Sequence, residues 1–348
     1  MNSTLRRCLD DLASRIDPAV EEANIAQWAR FWREGIEPFF RPTPRPANPP
    51  RVTWPDININ DAIGDMDLML LSQLKVVSDT LDGGGTRLAV RCNYGTGILP
   101  SLLGCELFMM PRETNTLPAA RPLGSAQAVR RLLDNGMPDL HASLGGEVFR
   151  CGERFLEIFR RWPAIGRHVD LYHPDAQGPI DVLEVVWGSD IFYAFCDEVE
   201  LIRDALDLVT RMYAAFMREW FALVPPAGEF STHWGMQQRG TLMIRNDSLM
   251  NLSPQVYVDL IRPMDQRLLD EFGGGAIHAC GRAEHYVEAM SQMRGLHAVN
   301  FSQPHLNNME TIYRNTVDKG IRLVGLDRKA VDAALAAGRP LRGLVHSH

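Results

Sequence analysis

The chain has 348 residues, 45% of them hydrophobic, and a formal net charge of −7. That apolar content is enough for a large core, and the acidic balance gives no argument for a nucleic-acid surface. No run of about 18 apolar residues is present to span a bilayer, and six dispersed cysteines without a C-x-x-C pair read as reduced thiols, not a disulfide framework.

The segment from Met1 to Asp10 is polar and lacks the apolar stretch of a signal peptide, so a cytoplasmic location is expected. A helical arm is predicted over roughly 5–35. Arg41 to Pro50 is rich in Pro and Arg and fits neither a regular helix nor a central strand. Residues 1–50 are therefore expected to form an arm and connector packed on a main domain over 51–348. Within that domain, short apolar runs alternate with amphipathic helices. Predicted strands are Arg87–Tyr94 (after a glycine turn at 83–85), His168–Tyr172, Thr241–Ile244, Ala276–Cys280, Ala298–Ser302 and Arg322–Leu326. Arg51–Trp54 and Phe230–Trp234 are weaker strand candidates. The clearest helix spans Pro254 to Phe272: Ser253 is a good N-cap, Pro254 suits the first helical position and Gly273 stops it. His346 and His348 read as an unordered tail.

Strand–helix alternation implies parallel strands with crossover helices. Eight strands make a closed (β/α)8 barrel; an open doubly wound sheet is the alternative, although no G-x-G-x-x-G follows a first strand. In a barrel, polar residues just after each strand face the site. Here those ends carry Asn93 and Tyr94; His173, Asp175 and Gln177; Arg245 and Asp247; His278, Cys280 and Arg282; and Gln303 and His305. Residues two apart on a strand share a face, so His278-x-Cys280 offers half of a tetrahedral zinc site, with a buried histidine and inert thiol as the plain alternative. Asp247 suits a general acid or base, or an acceptor for an N–H donor. Arg245, Arg282 and Gln177 are candidates for orienting an anionic substrate, with Asn93, Tyr94, His173, Asp175 and Gln303 as further substrate contacts.

Three stretches resemble the uroporphyrinogen decarboxylase superfamily. They are Gly97-Ile-Leu-Pro-Ser-Leu-Leu-Gly104-Cys-Glu-Leu, with its P-x-x-L-G-x-E pattern; Asp247 to Pro254 leading to Tyr257 and Arg262-Pro263; and Ile277-His278-Ala-Cys280-Gly281. The similarity runs over roughly 60–340. It implies a (β/α)8 TIM barrel and one of several chemistries: decarboxylation of uroporphyrinogen without a metal, or methyl transfer between corrinoids and thiols at a zinc held by H-x-C and a later Cys. The decarboxylase pattern is not kept, because Gly95 stands where the family has its catalytic Asp, Val185 where it has a Tyr, and Asp247 where it has a Ser. The methyltransferase pattern is half kept, because no cysteine follows Cys280. The resemblance thus implies a zinc-assisted, methyltransferase-like enzyme with Asp247, His278 and Cys280 as catalytic residues. Its metal would be held by His278 and Cys280 with a third ligand from Gln303, His305, Asp247 or His346. The donor would be a corrinoid on a separate protein, and the acceptor a thiol or small anionic substrate. The alternatives are a decarboxylase of uroporphyrinogen or another carboxylated substrate, and a non-catalytic tetrapyrrole or corrinoid binder.

Overall fold

A computed structural model describes residues 2–348. Its strands, in chain order, are β1 (Ala89–Val90), β2 (Leu107–Phe108), β3 (Ala119–Ala120), β4 (Asp170–Leu171), β5 (Phe230–His233), β6 (Met236–Arg239), β7 (Leu242–Arg245), β8 (Gly275–Ala279), β9 (Leu296–Phe301), β10 (Arg322–Leu326) and β11 (Val345–Ser347). Five of them form a parallel sheet in the order β11-β10-β9-β8-β7. β1 pairs in parallel with β4, and β2–β3 and β5–β6 are separate antiparallel ladders. The fold is α/β with helices crossing between parallel strands, and no helix of the described residues is long and apolar enough to cross a membrane.

The hydrogen-bonded ring expected of a closed eight-stranded barrel is not present among the described residues. Two gaps break it, and each is filled from elsewhere in the chain. Between β4 and β7 stands the β5–β6 hairpin: Thr232 Oγ1 donates to Asp170 at 2.6 Å and Gln238 Nε2 to the Leu242 carbonyl at 2.8 Å. Phe230–Trp234, expected as a barrel strand, is one arm of this hairpin, because only Trp234 and Gly235 separate β5 from β6. Next to β11, Phe40 forms an isolated parallel bridge with His346. Arg51–Trp54 is not a strand; three prolines at 49, 50 and 55 flank it, and the Arg51 N–H goes to Asp11 at 3.0 Å. Nor is His346 part of a loose tail. It lies in β11, fully buried; its Nδ1 accepts the Gly325 N–H at 3.0 Å and its ring packs on Trp28 and Phe40.

The N-terminal helices α1 (Ser3–Arg15) and α2 (Pro18–Glu34) are built into the core. Leu5, Cys8, Leu9 and Leu12 of α1 join the main apolar cluster. Trp28, Phe31 and Trp32 of α2 pack with Phe40 against Met243, Ala276, Ala298 and Val324, one residue from each of β7 to β10. The two alanines on adjacent strands leave the room that these large rings fill. Arg41 to Pro50 is irregular, as expected, yet Arg45 within it is buried. Its guanidinium makes a two-pronged pair with Glu21 of α2, 2.6 Å on each prong, and donates to the Gly84 and Thr86 carbonyls.

The predicted helix after Ser253 forms, but its middle widens into a π turn at Tyr257–Ile261 before continuing as Arg262–Glu271. Pro263 explains this. It has no N–H to give and its ring would strike the carbonyl four residues back, so the backbone adopts the longer i+5 spacing.

Candidate metal centre

The site starts from strand register. Arg245 on β7, His278 on β8 and Asn300 on β9 lie on one rung of the parallel sheet. Residues on one rung present their side chains to the same face, here the face covered by the β5–β6 hairpin. Cys280 follows two residues after His278, just past the strand end, and Asp247 two after Arg245, at the start of a short 3-10 turn.

Asn300 fixes the tautomer of His278. Its Nδ2 donates to the Val324 carbonyl at 2.6 Å, which turns Oδ1 toward His278 Nδ1, also at 2.6 Å. The imidazole proton therefore sits on Nδ1, and the Nε2 lone pair points at Cys280 Sγ (3.3 Å) and Asp247 Oδ1 (3.4 Å). Gly325 makes this possible, since a Cβ there would lie 2.7 Å from Asn300 Nδ2. Asp247 is held from behind by Asp181, whose two carboxylate oxygens accept the N–H groups of Asp247 and Ser248 at 2.8 and 2.9 Å. From the front, Asp247 Oδ1 accepts the Cys280 N–H at 2.8 Å.

Electrostatics leave these atoms short of positive charge. Burial lowers the His278 pKa, with Asp247 opposing. Burial pushes the Cys280 thiol up to about 11, opposed by its bond to Ser302 and aided by the nearby Asp247 charge. Burial, then the Asp247 charge, lifts Asp181 to about 7. An imidazole lone pair and a carboxylate oxygen thus face each other at 3.4 Å with at most one thiol proton between the three groups. A bound cation would resolve that conflict. The three ligand atoms all lie within 4.8 Å of one another, the one such group among the described residues. Tetrahedral zinc with bonds of about 2.0–2.3 Å places its N, O and S ligands roughly 3.3–3.6 Å apart. Both distances from Nε2 are close to that range.

The other expected ligands are engaged elsewhere. Gln303 Oε1 accepts the Gly281 N–H at 2.6 Å. His305 is exposed in a 3-10 turn and His346 is buried against Trp28, so neither belongs to the three-residue group. Of the expected substrate contacts, Tyr94 lies past the end of β1, buried away from the cluster with its hydroxyl beside Met66. His173 Nε2 accepts the Met243 N–H at 3.1 Å, and burial drops its pKa to about 4. Gln177 donates to Asp175 at 2.5 Å, and Asp175 also receives Arg245 at 2.5 Å and Arg91 at 3.3 Å. Arg245 is buried under Trp234, 4.7 Å from the ring, with Nη2 on His233 at 2.6 Å. Arg282 is exposed and pairs with Glu284. Asn93 lines a cavity of about 330 Å³ with Arg87, Arg91, Tyr172 and Trp234.

Sequence reasoning missed Asn300, Asp181 and Trp234. An asparagine in the apolar run Leu296–Phe301 was the available signal for the first. Trp234 occupies the hairpin tip with φ +48°, costly for a bulky residue, and its ring meets His278 at 5.0 Å.

Two outcomes test this geometry. Asn300→Leu should weaken zinc binding by about 10- to 100-fold while Cys280 and Asp247 are untouched, measured by competition with a chromophoric chelator. Zinc affinity should also fall about tenfold per pH unit on acidification, because binding displaces one proton, from Cys280. The lowered His278 pKa keeps that ring neutral, so the slope stays near one; a slope near two across neutral pH would mean His278 is also protonated.

No family model matches the chain, and no curated protein matches it. Among solved structures, a methyltransferase from Methanosarcina mazei superposes with a TM-score of 0.59 at 17% identity, covering 92% of this chain and 90% of that chain. At that identity the likeness is one of fold.

Proposed function

We propose that this chain is a zinc-dependent, methyltransferase-like enzyme with a (β/α)8-type architecture related to the uroporphyrinogen decarboxylase superfamily. It would move a methyl group from a corrinoid, carried by a separate protein, to the thiol of a small anionic substrate. The observation that carries this reading is the Nε2 lone pair of His278, aimed by Asn300 at Cys280 and Asp247. The fold likeness to a structure described as a methyltransferase and the H-x-C motif point the same way.

His278, Cys280 and Asp247 would hold the metal, with Asp247 in the place of a second cysteine. Zinc there supplies positive charge that lowers the pKa of a thiol brought beside it. Asn300 holds His278 in the binding tautomer, and Asp181 keeps the Asp247 turn in place. Trp234 covers one side of His278 and limits water there. In the reaction the acceptor thiol would release its proton to solvent and its sulfur would form the S–CH3 bond. A methylated corrinoid, as the donor, would supply the methyl group and keep the electron pair of the bond that is broken.

The test is anaerobic incubation of zinc-loaded protein with free methylcobalamin and 3-mercaptopropionate, followed by absorbance and by mass spectrometry of the thioether. Zinc-dependent thioether formation supports the reading. No thioether above the protein-free rate, with this acid and with mercaptoethanol, overturns it.

A further inference from the structure

The cavity beside β1 is a candidate binding site in its own right. It measures about 330 Å³ and opens outward between β1 and the helix Met66–Thr80, where Gln73, Val76 and Thr80 form its rim. Val76 on that rim is 55% exposed, so the opening reaches solvent. Inside are Arg87, Arg91 and Asn93, which alternate along the chain and so share a face, together with Tyr172 and Trp234.

Charge does not balance there. Arg87 pairs with Asp170 at 2.9 Å, while Arg91 and Arg245 share the single carboxylate of Asp175. Three guanidinium groups thus face two carboxylates. The neighbouring histidines add no negative charge, and His173 and His233 are held neutral by burial. Hydrogen bonds are missing as well. Arg87 is 5% exposed, yet its Nε and Nη1 donors have no partner. Buried donors without acceptors are costly, most of all on a charged group. Arg87 also borders a larger cleft of about 630 Å³ on the opposite side, whereas Arg91, Asn93 and Trp234 line the β1 cavity alone.

We infer that this cavity binds a small organic monoanion, a carboxylate or sulfonate. Its charged oxygens would meet Arg87 and Arg91, and its apolar part would lie on Trp234 and Tyr172. One negative charge restores the balance of three guanidinium groups against two carboxylates. A planar guanidinium pair suits such oxyanions, and an aromatic wall suits a flat or aliphatic remainder. Trp234 is the wall between this cavity and the His278 face, so occupancy would also hold the hairpin tip in place.

The test is isothermal titration calorimetry in chloride-free buffer with benzoate, benzenesulfonate and neutral benzamide. It needs neither zinc nor a methyl donor, so its result is independent of the proposed reaction. Both anions should bind one per chain, and benzamide about 10- to 100-fold more weakly or not at all. Arg91→Met should weaken the anions by a similar factor. Asn93→Asp is the deciding variant, because it is nearly isosteric and places the missing negative charge inside the cavity. It should abolish anion binding and raise the thermal midpoint of the anion-free protein. Benzoate binding that equals benzamide binding, or that survives unchanged in Asn93→Asp, would overturn the inference.

Discussion

Cys280→Ser should lose stoichiometric zinc and all thiol methylation while keeping its fold. A serine hydroxyl stays protonated at neutral pH, so the substitution removes the one anionic sulfur among the three ligand atoms. The loss should exceed the roughly 10- to 100-fold expected for an outer partner such as Asn300. Structure should survive because Cys280 is only half-buried and its backbone N–H, not its sulfur, ties the turn to Asp247. Asp247→Asn gives a graded comparison. The amide oxygen can still accept the Cys280 N–H, but the charge is gone, so zinc should bind weakly and not vanish. Metal analysis after dialysis, beside far-ultraviolet circular dichroism, measures both. If Cys280→Ser retained a full equivalent of zinc, the cluster would not be the metal centre.

Glu21→Ala should be strongly destabilising although it lies outside the site. Glu21 and Arg45 are each almost wholly buried, and their two-pronged pair joins α2 to the Arg41–Pro50 connector. Removing one partner of a buried ion pair leaves the other charge unpaired, at a cost of about 3–5 kcal/mol. Arg45 keeps its bonds to the Gly84 and Thr86 carbonyls, which softens the loss without supplying the missing charge. In urea, the midpoint should fall with little change in slope. A shift equivalent to less than about 1 kcal/mol would place the pair in the class of solvated surface bridges.

Sequence periodicity located β7 to β10 within one or two residues, because each is a short apolar run bounded by glycine or polar residues. It overextended Arg87–Tyr94 and His168–Tyr172, of which only the two-residue strands β1 and β4 pair. Those runs lie beside the gaps in the ring, where backbone groups meet the hairpin or loops: the Arg87 N–H, for example, goes to the Gly235 carbonyl. What fills the gaps was not legible, since nothing local in α2 says that Trp28, Phe31 and Trp32 will pack beside Ala276 and Ala298, more than two hundred residues away. The H-x-C pair was visible because both residues lie at the end of one strand, two positions apart. Asp247 was read as a general acid or base and, as a ligand, was one of four candidates for the third position, as that choice depends on contact between neighbouring strand ends. His346 misled for a related reason: a terminal histidine looks loose until the partner strand is known, and here β10 and Phe40 enclose it. Arg245, expected to greet substrate, is instead absorbed by Asp175, His233 and Trp234.

The central claim is that one sulfur, one imidazole and one carboxylate of this chain hold zinc. X-ray absorption at the zinc edge, on protein purified without a histidine tag and loaded with one equivalent, tests it directly. The expected spectrum has a single sulfur at about 2.3 Å and two or three nitrogen or oxygen neighbours at about 2.0–2.2 Å, with imidazole scattering beyond. A shell without sulfur, a shell with two sulfurs, or protein that retains no zinc at neutral pH would contradict the account.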